Sequence, residues 1–325
     1  MATFKEIRGQ LIKKYTTDPA NPLEGQMWYN STTGTLKGVV IGTAAWSSGG
    51  NMVAGRRNGV TFGLQTAAIF AGGHTPAGVF LNSETYDGTT WSEGSNITTS
   101  TDYGAAAGTS TAGLAFAGGV PVSGGKTQTY NGSTWTEVNS LTTGRYDPGG
   151  SGTDTAALCA GGSPPANTGS PLSEEWNGTG WTEGEDLGTG RYKPTQFGTQ
   201  TAAVLVGGDT GPANVANVEE YNGASWTAAT AYPGTVTYAA SAGISTAGLV
   251  FLGDIDGAAY GVVTNSYDGT AWSLEPSLAN AGGNTEGCGT SALALAASGG
   301  PASGRTDGSE EWNGAVAETQ TITTS

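Results

Sequence analysis

Six times the chain repeats one order of signals: a small-apolar run closed by glycine, then an aromatic residue followed by Asn-Gly or Asp-Gly. The anchoring aromatics are Tyr86, Tyr130, Trp176, Tyr221, Tyr267 and Trp312, so successive steps are 44, 46, 45, 46 and 45 residues. In the first five units a Trp follows five residues later, as Trp91, Trp135, Trp181, Trp226 and Trp272. A unit of this length cannot bury its own apolar faces, so neighbouring units must cover one another.

Each unit reads as four short strands. In the third these are YDPGGSGT (146–153), TAALCAGG (155–162), SEEWNG (173–178) and GWTEGEDL (180–187). Second strands such as TAAIFAGG (66–73) and TAAVLVGG (201–208) are continuous apolar runs, as expected of strands covered on both faces. First strands such as YGAAAGT (103–109) hold almost only small residues, which fits strands crowded about an axis. Asp87-Gly88, Asn131-Gly132 and their counterparts are strong hairpin signals joining third to fourth strand. Repeat length and punctuation together give an all-β chain, a β-propeller of six four-stranded antiparallel blades.

Composition agrees with a folded body. Gly is 56 of 325 residues, which without a period would suggest disorder, but nine Trp and twelve Tyr recur in phase with the glycines. Residues 1–40 carry a net +2, leaving −17 of the total −15 on the remainder. A body this acidic repels phosphate, so nucleic acid is excluded as its partner. No apolar run is long enough to span a membrane, and no apolar stretch follows the N-terminal Lys and Arg, so neither membrane insertion nor a secretory signal is expected. Cys159 and Cys288, the only cysteines, fall in different units and provide neither a disulfide framework nor metal-ligand spacing.

The sixth unit has Ala317 where a Trp is expected, while Trp46 lies 45 residues before Trp91 and is therefore in phase. Either an N-terminal strand around GTAAWSS (42–48) completes the last blade, or residues 315–325 do. The order of glycine, third-strand aromatic and fourth-strand Trp resembles the kelch repeat over about residues 42–325. It departs from that family in its small first strands and in having only Arg145, Arg191, Arg57 and Arg305 near the family's basic position.

Residues 1–41 stand outside the repeat. FKEIRGQLIKKY (4–15) reads as a short amphipathic helix ended by the prolines of DPANPLEG (18–25), and GQMWYNSTTGTLKGVV (25–40) reads as a β-hairpin. The string GQMWYNSTTGTLK followed by GTAAW resembles a module of tail-fibre and appendage proteins of tailed bacteriophages. That resemblance implies a virion location, with residues 1–41 docking on other virion proteins and residues 42–325 projecting outward.

Catalysis is not expected, and no cofactor or metal. A kelch-type copper oxidase needs two histidines, and His74 is alone. Sialidase-like sites need an arginine cluster, and there are six arginines in all. Glu174-Glu175, Glu219-Glu220 and Glu310-Glu311, with Glu84, recur before the third-strand aromatic. Their repetition suggests a structural habit, with one of each pair facing solvent, because an active site needs a single asymmetric constellation.

A ligand surface is expected where the loops after the second strands and the links between units emerge together. The loops vary in sequence while the scaffold is constant. Tyr103, Arg145, Tyr146, Arg191, Tyr192, Lys193, Tyr238 and Tyr260 are placed on that rim, offering aromatic faces and cations to a host-surface glycan or protein. Copies of the same chain are a further partner class. The alternatives in function are an intracellular kelch-type adaptor and a divergent carbohydrate-active enzyme.

Overall fold

A computed structural model describes residues 12–20, 22–23, 25–119, 124–164, 168–255, 261–280, 282–299, 307–315 and 317–322. Every regular element among them is a strand, and the chain forms two compact units: Met1–Ala44 with Gly314–Ser325, and Ala45–Asn313. The boundary expected after residue 41 therefore lies at Ala44, and the C-terminal residues leave the repeat region for the N-terminal unit.

The smaller unit is one sheet in the order Lys13–Tyr15, Met27–Asn30, Thr35–Ile41, Ala317–Thr321. The hairpin expected over 25–40 is present, and Asn30 Oδ1 accepts the amides of Thr32 (3.0 Å) and Thr33 (3.1 Å) in its turn. The helical reading of 4–15 is overturned at Lys13–Tyr15, whose backbone pairs in parallel with Trp28–Asn30. Residues 4–11 lie outside the described residues. Trp28 is fully buried, and its Nε1 donates to Asp18 Oδ1 (3.0 Å). Lys37 Nζ at 2.6 Å from Asp18 Oδ2, then Asn30 and Trp28, hold the Asp18 carboxyl down at about 2.

The larger unit contains six four-stranded antiparallel sheets, a propeller-like arrangement. Five follow the chain directly, as in the third: Gly149–Gly152, Ala157–Ala160, Ser173–Trp176 and Trp181–Glu183. The sixth is composite. Glu286–Gly289, Leu293–Ala297 and Ser309–Asn313 are completed by Ala45–Ser48, with Trp46 opposite Trp312. Of the two closures left open by the sequence, the N-terminal strand supplies the fourth place, and Ala317–Thr321 pairs with Thr35–Ile41 instead.

Cores form between consecutive sheets. Phe116, Leu114, Cys159, Trp176 and Trp181 pack together from the second and third, and Phe70, Tyr86, Trp91, Cys288 and Leu295 from the first and sixth. The fourth-strand indoles reach the preceding sheet: Trp181 Nε1 donates to Thr127 Oγ1 (2.9 Å), and Trp46 Nε1 to Thr264 Oγ1 (2.9 Å). Trp91, Trp135 and Trp181 are buried, whereas Trp46, Trp226 and Trp272 are half-buried. Small residues permit this closeness. A Cβ on Gly248 would lie 2.2 Å from the Phe197 ring. The first strands lie beside one another in succession, and that of the sixth sheet lies beside that of the first.

Antiparallel order places the loop after each second strand, and the link into the next sheet, at one end of the strands. The two short turns lie at the other. At that short-turn end Ala45 and Asn313, where the chain enters and leaves this unit, are direct partners in the ladder.

Removing a buried intersheet indole should be costly. Trp181→Ala is expected to lower unfolding free energy by ~3–5 kcal/mol in urea titration, against under ~0.5 kcal/mol for Thr182→Ala at the exposed position next to it on the same strand.

Candidate functional site

At the loop end, each link passes through one residue in the left-handed region before its first strand begins. These are Asn58 (φ 55), Tyr103 (59), Asp147 (52), Lys193 (59), Tyr238 (52) and Asn284 (55). Such values are uncommon for residues bearing a Cβ, so their recurrence at one module position marks a shared constraint. Backbone bonds between neighbouring links supply it from the first link to the fifth. Tyr103 N donates to Asn58 O (2.9 Å), Asp147 N to Tyr103 O (2.8 Å), Lys193 N to Asp147 O (2.9 Å) and Tyr238 N to Lys193 O (3.2 Å).

The same six residues line a cavity of about 120 Å³ among the first strands, with Glu286, Gln196 and Thr61. Burial pushes the Asp147 carboxyl up to about 7, with Lys193 opposing and Asp102 adding. Burial pushes Glu286 up to about 8, with Asp147 adding its repulsion. The phenols of Tyr103 and Tyr238 are likewise raised, chiefly by burial.

The expected rim divides in two. Tyr103, Lys193 and Tyr238 are gathered at the mouth of the cavity, where Lys193 Nζ stands 4.6 Å from the Tyr192 ring centroid and 4.9 Å from that of Tyr238. Tyr192 and Tyr146 flank it on the links, bridging through their backbones to Asp209 and Ser163. Burial, with the hydrogen bond to Asp209, pushes the Tyr192 phenol up to about 12. Arg145 and Arg191 do not belong to this surface, because their side chains are buried. Tyr260 and Arg305 lie outside the described residues.

Arg145 pairs with Glu174, and Arg191 Nη1 pairs with Glu219 Oε1. The matching pair in the first sheet is Arg56 Nη1 with Glu84 Oε1 at 2.6 Å, so the third basic position belongs to Arg56 and not to Arg57. Each acid also receives backbone amides of the link entering its own sheet: Val53 for Glu84 (2.7 Å), Thr142 for Glu174 (2.7 Å) and Gly188 for Glu219 (2.7 Å). Glu310 does the same for Ala279 (2.9 Å), with no arginine paired to it among the described residues, and Gln128 accepts from Thr98 (2.7 Å). The first member of each glutamate pair is thus buried.

The second member faces the neighbouring sheet. Glu311, Glu175 and Glu220 accept the hydroxyls of Tyr86 (2.5 Å), Tyr221 (2.6 Å) and Tyr267 (2.8 Å) from the sheets that follow. The expectation that one of each pair simply faces solvent is therefore corrected. Both members have structural partners, for the physical reason that the third strand is covered on both sides.

His74 lies on the loop after the first sheet's second strand. Arg57 Nε donates to its Nε2 (3.1 Å), and its Nδ1 lies 2.7 Å from Asp102 Oδ1. The ring is thus braced between the Arg57 guanidinium and the Asp102 carboxyl. Among the described residues, no three His, Cys, Asp or Glu side chains gather as metal ligands. No protein-family model matches the chain, and no curated protein matches it.

Two outcomes follow. Arg145→Ala strands a buried carboxylate and should cost ~3–5 kcal/mol by urea titration, against less than ~1 kcal/mol for Lys126→Ala in the exposed Lys126–Glu137 pair. Asp147 and Glu286 have raised folded pKa values, so the folded state holds protons that the unfolded chain has released. Their stabilising effect is complete below the ordinary carboxylate range and is lost as pH rises through about 7 and about 8. Asp18 is already ionised throughout that window. The thermal midpoint should therefore fall from about pH 5 to about pH 8.5. The double variant Asp147→Asn, Glu286→Gln should flatten the fall, and an unchanged profile would show that these carboxyls do not carry it.

Proposed function

We propose that this chain is a structural protein of a tailed-bacteriophage particle: a six-bladed kelch-like propeller that recognises a host-surface glycan or protein. Residues 1–41 and the strand that joins them attach it to other virion proteins. The observation that carries the reading is the pairing of Ala45 with Asn313. Entry and exit of the larger unit are adjacent at its short-turn end, opposite the loop end of the same unit. The charge distribution supports the same polarity, with net +2 on residues 1–40 and −17 on the rest.

The recognition surface is the loop end around the cavity mouth, where Tyr103, Tyr192, Lys193 and Tyr238 present aromatic faces and one amine. Aromatic rings with a few hydrogen-bonding groups suit sugar or protein surfaces. A non-enzymatic role is favoured because His74 has both ring nitrogens engaged and each recurring glutamate has a structural partner.

The test uses particles carrying variant chains. Alanine at Tyr103, Tyr192, Lys193 and Tyr238 together should reduce attachment to host cells while incorporation is unchanged. Removal of residues 1–41 should abolish incorporation while the larger unit keeps its β circular dichroism. Full attachment by the fourfold variant would reject the recognition surface, and normal incorporation of the truncated chain would reject the tether.

A further inference from the structure

We infer that the cavity beside Glu310, on the third strand of the sixth sheet, is a guanidinium site. It seats an arginine-like cation in the place where three sister sheets seat an arginine of their own link. The inference is independent of host recognition and of the cavity among the first strands.

The first argument is module position. In the links into the third, fourth and sixth sheets, Arg145, Arg191 and Gly282 stand two residues before the left-handed residue. Their carbonyls accept the same backbone bond, from Gly118 N (2.9 Å), Gly162 N (2.9 Å) and Gly253 N (3.0 Å), each two residues past the preceding sheet's second strand. Gly282 therefore occupies the arginine position of its module. The acid of that module is present. Glu310 lies opposite Ala296 in the ladder, as Glu84 lies opposite Phe70, Glu174 opposite Cys159 and Glu219 opposite Leu205.

The second argument is space. Two residues are small where the sister sheets carry larger ones: Gly282 stands for an arginine, and Ala296 for Phe70 or Leu205. Both line one cavity of about 240 Å³, together with Glu310, Leu252 and Leu278, and its wall runs out to the exposed Asn280 and Asp307. At ~30 Å³ per water the cavity has room for several waters, or for a guanidinium and the carbon beside it.

The third argument is charge. Glu310 is only 7% exposed, and its carboxylate accepts neutral donors: Ala279 N (2.9 Å), Asn280 N (3.0 Å) and Asn280 Nδ2 (3.0 Å). Among the described residues it has no ion pair, whereas Glu84, Glu174 and Glu219 each have one. A buried carboxylate is costly without a counter-charge, and Asp307 on the same wall adds a second negative charge, so the site selects a cation.

The sister sheets indicate which cation fits. Arg56 Nη1 donates to Glu84 Oε1 (2.6 Å) and to Ala54 O (3.4 Å), and Arg145 donates both to Glu174 and to Leu172 O (3.1 Å). A planar group with several fixed donors serves a carboxylate and a carbonyl together, and its weak hydration suits a wall containing Leu252 and Leu278.

The experiment uses the full chain near neutral pH, with methylguanidinium as the probe and the neutral, similarly shaped methylurea as control. Methylguanidinium at millimolar concentration should bind in titration calorimetry and raise the thermal midpoint, and methylurea should do neither. Glu310→Gln should weaken binding about tenfold or more. That variant should fold, because Gln128 already accepts the link amides of Thr98 (2.7 Å) and Thr99 (3.2 Å) at the same position of the second sheet. Gly282→Arg should fill the place from within, abolishing binding and raising the midpoint without probe. Arg305, which lies outside the described residues, is another source of the same group. Binding by the wild type assigns the site to a guanidinium from outside the chain, and binding only by Arg305→Ala assigns it to Arg305. No binding by either chain, equal binding of methylurea, or unchanged binding by Glu310→Gln would overturn the inference.

Discussion

The structure depends on apolar faces that a single four-stranded sheet cannot cover for itself. Every second strand in the larger unit is buried on both sides, and the covering atoms come from the neighbouring sheets. This dependence explains the indoles between sheets and the small residues opposite them. It also explains the buried acid two residues before each third-strand aromatic, in the four sheets where that residue is Glu84, Glu174, Glu219 or Glu310. That carboxylate takes up amides of the incoming link, which otherwise would be buried without partners. The link is thereby held against the sheet it enters, and the links in turn bond to one another at the cavity mouth.

Much of this was legible in the sequence, because periodic apolar runs, Asn-Gly and Asp-Gly turns and in-phase tryptophans each have one strong local reading. Asp87 shows how local that reading is: its Oδ1 accepts the amides of Thr89 and Thr90, so the turn is specified by its own residues. The side-chain partnerships were less legible. Arg145 and Arg191 sit in links, and a link residue is expected at the surface, yet both turn inward to a glutamate 28 or 29 residues later. A signal was available within the chain. Arg56, Arg145 and Arg191 occur in the units with Glu84, Glu174 and Glu219, whereas the units with Gln128 and Asn265 have Thr101 and Val236 at the corresponding position. Asp147 and Glu286 gave no such sign, since their shared cavity is made by residues from several sheets and not by their own neighbours in sequence. The fourth strand of the sixth sheet was ambiguous for a related reason: phase pointed to Trp46 and proximity to the C-terminus, and the ladder follows phase.

The loop end thus combines rigid placement with chemical variety. One module position is held by backbone bonds from the first sheet to the fifth, and at it the six links set asparagine, tyrosine, aspartate, lysine, tyrosine and asparagine in turn. The recurring carboxylates, by contrast, are spent on holding links and sheets together.

A cyclic succession of sheets, the sixth against the first, is the premise of both the cavity and the surface above it. Spin labels at the exposed positions Leu64 and Leu293, as Leu64→Cys and Leu293→Cys, measure it directly by electron–electron double resonance, since the native cysteines are buried. Leu64 ends the first strand of the first sheet and Leu293 begins the second strand of the sixth. Adjacent sheets give a label separation within about 20 Å, given ~10 Å between packed sheets. An open stack of the same six sheets gives about 50 Å, and a distribution centred there would contradict the cyclic arrangement.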